Sequence, residues 1–264
     1  MSDLTDLTRA SKSAALGNGA DLVGIAPVAA LSEHAETIED LLPDARQVVV
    51  VAARHSLAAI SSGNNQVRQY DTIHAYDQSA RASHAVAHLL EAEGQAAVAV
   101  PAFIPLDMNE PGKGMRGAIS WRQAGYLAGL GSYGENGLLV TRQFGNAVRL
   151  AGVVTTADLV PDAPLEEDLC DHCMGCVEDC PVGALSGGGS IDKKKCGDEI
   201  FRYGFRAFQA LMQDLLEGNR EEAHDIVTGQ GLREIWQNFM TGNYYYCFNC
   251  QTHCPWPGAT ATEI

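Results

Sequence analysis

All eight cysteines of this 264-residue chain lie between positions 170 and 254. They form two groups. The first is Cys170-x2-Cys173-x2-Cys176-x3-Cys180-Pro181, and the second is Cys196 followed by Cys247-x2-Cys250-x3-Cys254-Pro255. Three thiolates on a tight loop cap one corner region of a cube, and the fourth points away as the chain is expected to turn into a helix at Pro181. This is the spacing of [4Fe–4S] ligation in which the fourth cysteine serves a second cluster. One cluster is expected to take Cys170, Cys173, Cys176 and Cys254, and the other Cys180, Cys196, Cys247 and Cys250. Each Cys-Pro member then crosses to the other site, which brings the cubes close enough to pass electrons in series. Structural zinc pairs one CxxC with another, whereas each group here closes on x3-Cys-Pro. His172 and His253 stand between ligands and read as supporting or surface residues.

The rest of the chain predicts an α+β fold in two parts, 1–160 and 161–264. A helix is expected over 2–20, a strand over 21–27, and a buried strand at Val48-Val49-Val50-Val51-Ala52, where β-branched residues run without interruption. Residues 61–66 read as a loop. A helix from Tyr76 to Glu93 stacks Val86, Leu89 and Leu90 on one face and stops at Gly94. Ala96–Val100 reads as a strand, 105–118 as a loop and Ser120–Leu130 as a helix. Residues 138–140 and 148–155 are expected to pair as strands. Pro161, Pro164 and the acidic run Glu166-Glu167-Asp168 mark the boundary. A cysteine-free helical insertion is expected at about 198–240.

Composition fits a globular chain: 46% apolar and 19% charged residues. The formal charge of 18 − 33 = −15 opposes binding to nucleic-acid phosphates. Lys193-Lys194-Lys195 is the one compact basic cluster; it reads as a solvated turn or as a docking spot for an acidic electron donor. No apolar run reaches the roughly 20 residues of a membrane span, and the start has no secretory pattern. A cytoplasmic protein is expected, in which thiolate ligands are favoured over disulfides. His84 and His88 stand at i, i+4 without a third ligand and read as surface residues.

Two further stretches bear on function. One is Ala128-Gly129-Leu130-Gly131-Ser132-Tyr133-Gly134-Glu135-Asn136-Gly137-Leu138-Leu139, followed by Phe144-Gly145, Val148-Arg149-Leu150 and Thr155. The other is Cys250-Gln251-Thr252-His253-Cys254-Pro255-Trp256. Together with the cluster pattern they resemble the epoxyqueuosine reductase and reductive dehalogenase superfamily, over roughly residues 70–257. The resemblance implies a first domain like flavin nitroreductases and cobalamin-trafficking chaperones, followed by a ferredoxin-like domain with two [4Fe–4S] clusters. It implies a cobalamin beside the nearer cluster, fed with electrons from a ferredoxin or flavodoxin, and a reductase acting on a small molecule. Gly129, Gly131, Gly134 and Gly137 would let the backbone approach a flat macrocycle, with Leu138 beside them and Asn136 bonding a corrin amide.

Departures accompany the likeness. Glu135 stands where epoxyqueuosine reductases have lysine and dehalogenases often have arginine, and Met115 to Ser120 holds no match for their aspartate acid. With the acidic charge and the missing repeat region, these argue against a tRNA substrate. Tyr76, Tyr133 and Glu135 remain as candidate proton donors, Glu135 only if burial raises its pKa. The alternatives are an electron-transfer or corrinoid-activating protein without chemistry of its own, and a relative that has lost cobalamin. Tyr244-Tyr245-Tyr246 is expected to shield a cluster.

Overall fold

The computed structural model describes residues 4–100, 117–202, 204–242 and 247–254. The loop expected at 105–118, up to residue 116, the tyrosine run 244–246 and Pro255-Trp256 lie outside them.

Helix α1 (Leu4–Gly17) leads into β1 (Leu22–Pro27), and α2 (Ala35–Leu41) into β2 (Gln47–Arg54). Residues 47–53 of β2 are all buried. Val49 and Val51 pack to one side of the sheet, Val48 and Val50 to the other. This double burial explains why the apolar run lacks alternation.

The loop expected at 61–66 is shorter than predicted. A helical turn, α3 (Leu57–Ser61), precedes it, and α4 (Asn65–Ala92) begins eleven residues ahead of the predicted Tyr76. Asn64 caps α4, its side-chain oxygen accepting from the N–H groups of Gln66 and Val67. The buried face of α4 changes character along its length. Its second half buries Ala82, Val86, Ala87 and Leu90 with Ser79 and Ser83, and its first half buries Arg68, Gln69 and Thr72 with Ala75. Apolar periodicity therefore marks only the half that packs on the sheet.

Strand β3 (Ala97–Val100) and α5 (Trp121–Leu127) follow, then a hairpin of β4 (Ser132–Tyr133) and β5 (Leu139–Val140), and β6 (Val148–Thr155). The four-stranded sheet has the order β1-β2-β6-β3 and is antiparallel throughout. The expected pairing of 138–140 with 148–155 is thus corrected: β5 pairs with β4, and β6 lies between β2 and β3. A strand buried like β6 must satisfy its backbone groups on both edges; β2 pairs with its whole length and β3 with Gly152–Thr155. Helices α1 and α4 cover one face of the sheet, α2 and α5 the other.

The cysteine-bearing part holds α6 (Gly175–Glu178), a small hairpin of β7 (Leu185–Gly187) and β8 (Ser190–Ile191), and α7 (Lys193–Ile200). The expected insertion is three helices, α8 (Phe205–Glu217), α9 (Arg220–Thr228) and α10 (Gln230–Thr241), broken at Gly218 and Gly229. A short turn, α11 (Asn249–Thr252), completes the described chain. Among the described residues no helix is long and apolar enough to cross a membrane.

Candidate metal centre

The turn carrying Cys170 and Cys173 is tightly wound. His172 and Met174 adopt left-handed φ angles of 55° and 60°, uncommon for residues with a Cβ. Asp168 accepts from the N–H of Cys170 at 3.0 Å and Asp171 from that of Cys173 at 3.2 Å, which holds the winding. Cys176 lies in α6, and Cys180 follows it, its Sγ accepting from the N–H of Ala184 at 3.2 Å.

The fold gathers the cysteines in two neighbouring sets. Cys170, Cys173, Cys176 and Cys254 line one cavity of about 210 Å³. Cys196, on α7, lies in electrostatic reach of Cys247 and Cys180, and Cys250 in reach of Cys247, Cys196 and Cys180. Cys250 also feels Cys176, so the sets adjoin. Burial, reinforced by the neighbouring thiols, pushes Cys196 up to about 11 and Cys250 and Cys254 up to about 12. Free thiols at such values keep their protons at neutral pH, and coordination by a metal removes them. Among the described residues no three His, Cys, Asp or Glu side chains are drawn closely enough together to hold a single metal ion. Thiols in fours around a space are the donor set of a [4Fe–4S] cluster, and the residues present fit two.

Charge is distributed unevenly around the two sets. Beside the first, His172 Nδ1 meets Glu135 at 2.6 Å and its Nε2 meets Asp168 at 3.0 Å. Glu135 also accepts from the N–H of Gly188. The His172 and Gly188 hydrogen bonds hold Glu135 below the usual carboxylate range, and the two carboxylates hold His172 above its own. The expectation of Glu135 as a general acid is corrected on this ground, because its environment favours the ionised form. Beside the second set lies Arg68, only 7% exposed, its Nε donating to the carbonyl of Ile60 at 2.7 Å and its guanidinium facing Cys247.

The glycine-rich turn packs tightly against the chain itself. Side chains at Gly129, Gly131 and Gly137 would run into the backbone oxygens of Ala163, Val140 and Gly189, and one at Gly134 into the side chain of Val140. Gly129 and Gly137 also have φ of +69°. The close approach that these glycines allow is of the chain to itself. Asn136 is buried; its Nδ2 donates to the carbonyl of Cys250 at 3.2 Å and its Oδ1 accepts from Leu138 N–H at 3.0 Å. Asn136 and these glycines lock the first part of the chain onto the cysteine-bearing part.

The candidate proton donors lie apart. Tyr133 is 40% exposed and packs on Tyr126, and desolvation raises its pKa. Tyr76 lies under the guanidinium of Arg149, 5.5 Å from the ring centre, and Arg149 donates to Gln251 Oε1 at 3.2 Å. Other polar residues at the site were not singled out as candidates in the sequence, although Arg149 and Gln251 stand within the stretches quoted for the resemblance. Asn146, Arg149 and Gln251 join the sheet to the cysteine turn. At the same end of the sheet, His55 Nδ1 meets Asp71 at 2.5 Å beside an open cleft of about 900 Å³ that Arg54, His74 and Gln143 help to line. The available signal was a polar residue, His55, ending an apolar strand.

Comparison with known proteins agrees with the donor set. Residues 163–186 match the 4Fe-4S binding domain family. Over 140 residues it is 34% identical to an epoxyqueuosine reductase of Bacillus anthracis, covering 53% of this chain and 30% of that protein. A solved epoxyqueuosine reductase from Bacillus subtilis superposes with a TM-score of 0.57 at 19% identity, over 97% of this chain and 67% of that one. A reductive dehalogenase structure, described with a mechanism for B12-dependent dehalogenation, gives 0.60 at 16% identity over 89% of this chain and 38% of its own. The chain resembles, in sequence and in fold, the superfamily of epoxyqueuosine reductases and reductive dehalogenases. Its match spans about a third of the length of the curated relatives.

Proposed function

We propose that this chain is an iron–sulfur oxidoreductase that carries electrons through two [4Fe–4S] clusters to an acceptor bound where the sheet meets the cysteine-bearing turns. The observation that supports it best is the pair of adjoining thiol sets. Cys170, Cys173, Cys176 and Cys254 hold one cluster, and Cys180, Cys196, Cys247 and Cys250 hold the other, so that Cys180 and Cys254 cross between sites. Bound clusters supply one-electron transfer at low potential; the protein supplies the thiolates, the winding at His172 and Met174, and the exclusion of water.

The finer reading is a reductase whose electrons pass to cobalamin in a nitroreductase-like domain and reduce a small molecule. It draws on the superfamily likeness and on the B12-dependent dehalogenation named for one structural relative. Tyr76, joined through Arg149 to the cysteine turn, is the proton donor on this reading. A tRNA stem loop accompanies one solved epoxyqueuosine reductase, but the charge of −15 favours a small substrate here. A second reading, delivery of electrons to a cofactor held by another protein, is favoured by Glu135 being held ionised.

Anaerobic purification or reconstitution tests the proposal. Iron and sulfide sufficient for two clusters per chain, with reduced-cluster EPR signals, are expected. Cys254→Ser and Cys180→Ser should each perturb a different cluster. A chain that takes up zinc in preference and gives no such signals would overturn it. Identifying any organic cofactor that co-purifies separates the two readings.

A further inference from the structure

Two buried carboxamides converge on a single carbonyl oxygen. Asn136 Nδ2 and Asn146 Nδ2 donate to the carbonyl of Cys250 at 3.2 and 3.1 Å. Each residue is only 2% exposed. The two donors come from different segments, Asn136 from the β4–β5 hairpin and Asn146 from the approach to β6. A carbonyl oxygen has two lone pairs, and these two amides are enough to occupy both. The orientation of Asn136 is fixed independently, since its Oδ1 accepts from Leu138 N–H at 3.0 Å.

Asn146 makes more connections to the same turn. Its carbonyl accepts from Gln251 Nε2 at 3.1 Å, and its backbone N–H points at the thiol of Cys254. Its Oδ1 is buried and has no protein partner among the described residues. What distinguishes the position is its grip on the turn.

That turn runs from Cys250 to Cys254. Cys250 belongs with Cys180, Cys196 and Cys247, and Cys254 with Cys170, Cys173 and Cys176. It is therefore a covalent bridge between the two cluster sites, and both amides hold it from the sheet side. Hydrogen bonds to cluster sulfurs help set reduction potentials, and the backbone N–H of Asn146 bonds the sulfur of Cys254 on this turn.

We infer that Asn136 and Asn146 are positioning residues that clamp the Cys250–Cys254 turn and thereby set the potential of the cluster bound by Cys254. The inference rests on the proposed reading of the cysteines as ligands to two clusters. The N–H to sulfur bond favours the reduced, more negative cluster, so loosening the clamp lowers that cluster's potential and leaves the other's in place.

The test uses the full chain, reconstituted anaerobically, with Asn146→Ala and Asn136→Ala made separately. Iron and sulfide per chain are measured, and midpoint potentials are read by EPR-monitored redox titration. The expected result is full loading in at least one variant, with one midpoint potential lowered and the other unchanged. Unchanged potentials in loaded variants would overturn the inference. Loss of iron from both variants while the unsubstituted chain loads normally would overturn it too, because the amides would then serve folding rather than potential. Failure of the unsubstituted chain to load two clusters would count against the ligand reading instead.

Discussion

His55 shows how a single buried group couples this fold to pH. Its side chain has no exposed surface, and burial lowers its pKa from 6.5 to about 4 despite the Asp71 carboxylate at 2.5 Å. The folded state therefore binds fewer protons than the unfolded chain between these two values. Stability from the neutral imidazole is complete above about pH 6.5 and is lost as the pH falls through 4. The full span corresponds to about 3 kcal/mol. His55→Gln removes the titration while leaving a polar side chain. The stability difference between the two proteins, from urea unfolding, should shrink steadily from pH 7 to pH 4.5; a constant difference would exclude this role. At Glu135 the sign is the opposite of a useful acid's, because two hydrogen bonds stabilise its charge. No pattern in the sequence announces either environment, since both depend on which distant backbone or ring arrives alongside.

Among the elements, α4 carries two kinds of packing in one helix. Leu90, fully buried in the sheet core, should cost about 2–5 kcal/mol on truncation to alanine. Asn64→Ala should cost about 1 kcal/mol by removing the cap. Thermal unfolding of both variants checks the ranking, and equal losses would contradict it. The same helix explains what was legible in the sequence. The half that packs Val86 and Leu90 on the sheet shows the apolar spacing of a helix and was read correctly. The half that buries Arg68, Gln69 and Thr72 shows no such spacing, because it faces a polar seam, so the expected helix begins only at Tyr76, after a loop expected at 61–66. The valine run of β2 was legible for the first reason, and the β4–β5 hairpin was not, since its two-residue strands are too short to carry a period. The cysteine sets were legible because metal ligation fixes residue type and spacing together. The glycine turn was visible as a pattern but ambiguous in purpose: a glycine that clears space for a ligand and one that clears space for the chain's own carbonyl look alike.

For the molecule as a whole, that turn is the fastening between its two parts. Gly137 faces Gly189, Gly129 faces Ala163, and Asn136 reaches Cys250. Gly137→Ala adds a left-handed alanine, worth roughly 1–2 kcal/mol, and also forces Gly189 away. Gly94→Ala, with φ of +78° and open space around it, adds the backbone strain alone. Gly137→Ala should therefore lower the urea midpoint more than Gly94→Ala does, and equal shifts would show that the fastening carries no load.

Cys254 turning back onto the Cys170–Cys176 loop has a consequence for biogenesis. Three of that set's thiols emerge early and close together in the growing chain, and the fourth emerges only after the intervening helices. The second set waits likewise, since Cys180 precedes Cys247 and Cys250 by the same long stretch. Neither metal site can be closed by a local segment, and the loop-closure entropy of joining such distant thiols must be met by folding first. Iron would then enter a protein whose halves have already met, and maturation of the two sites would be a single event rather than two.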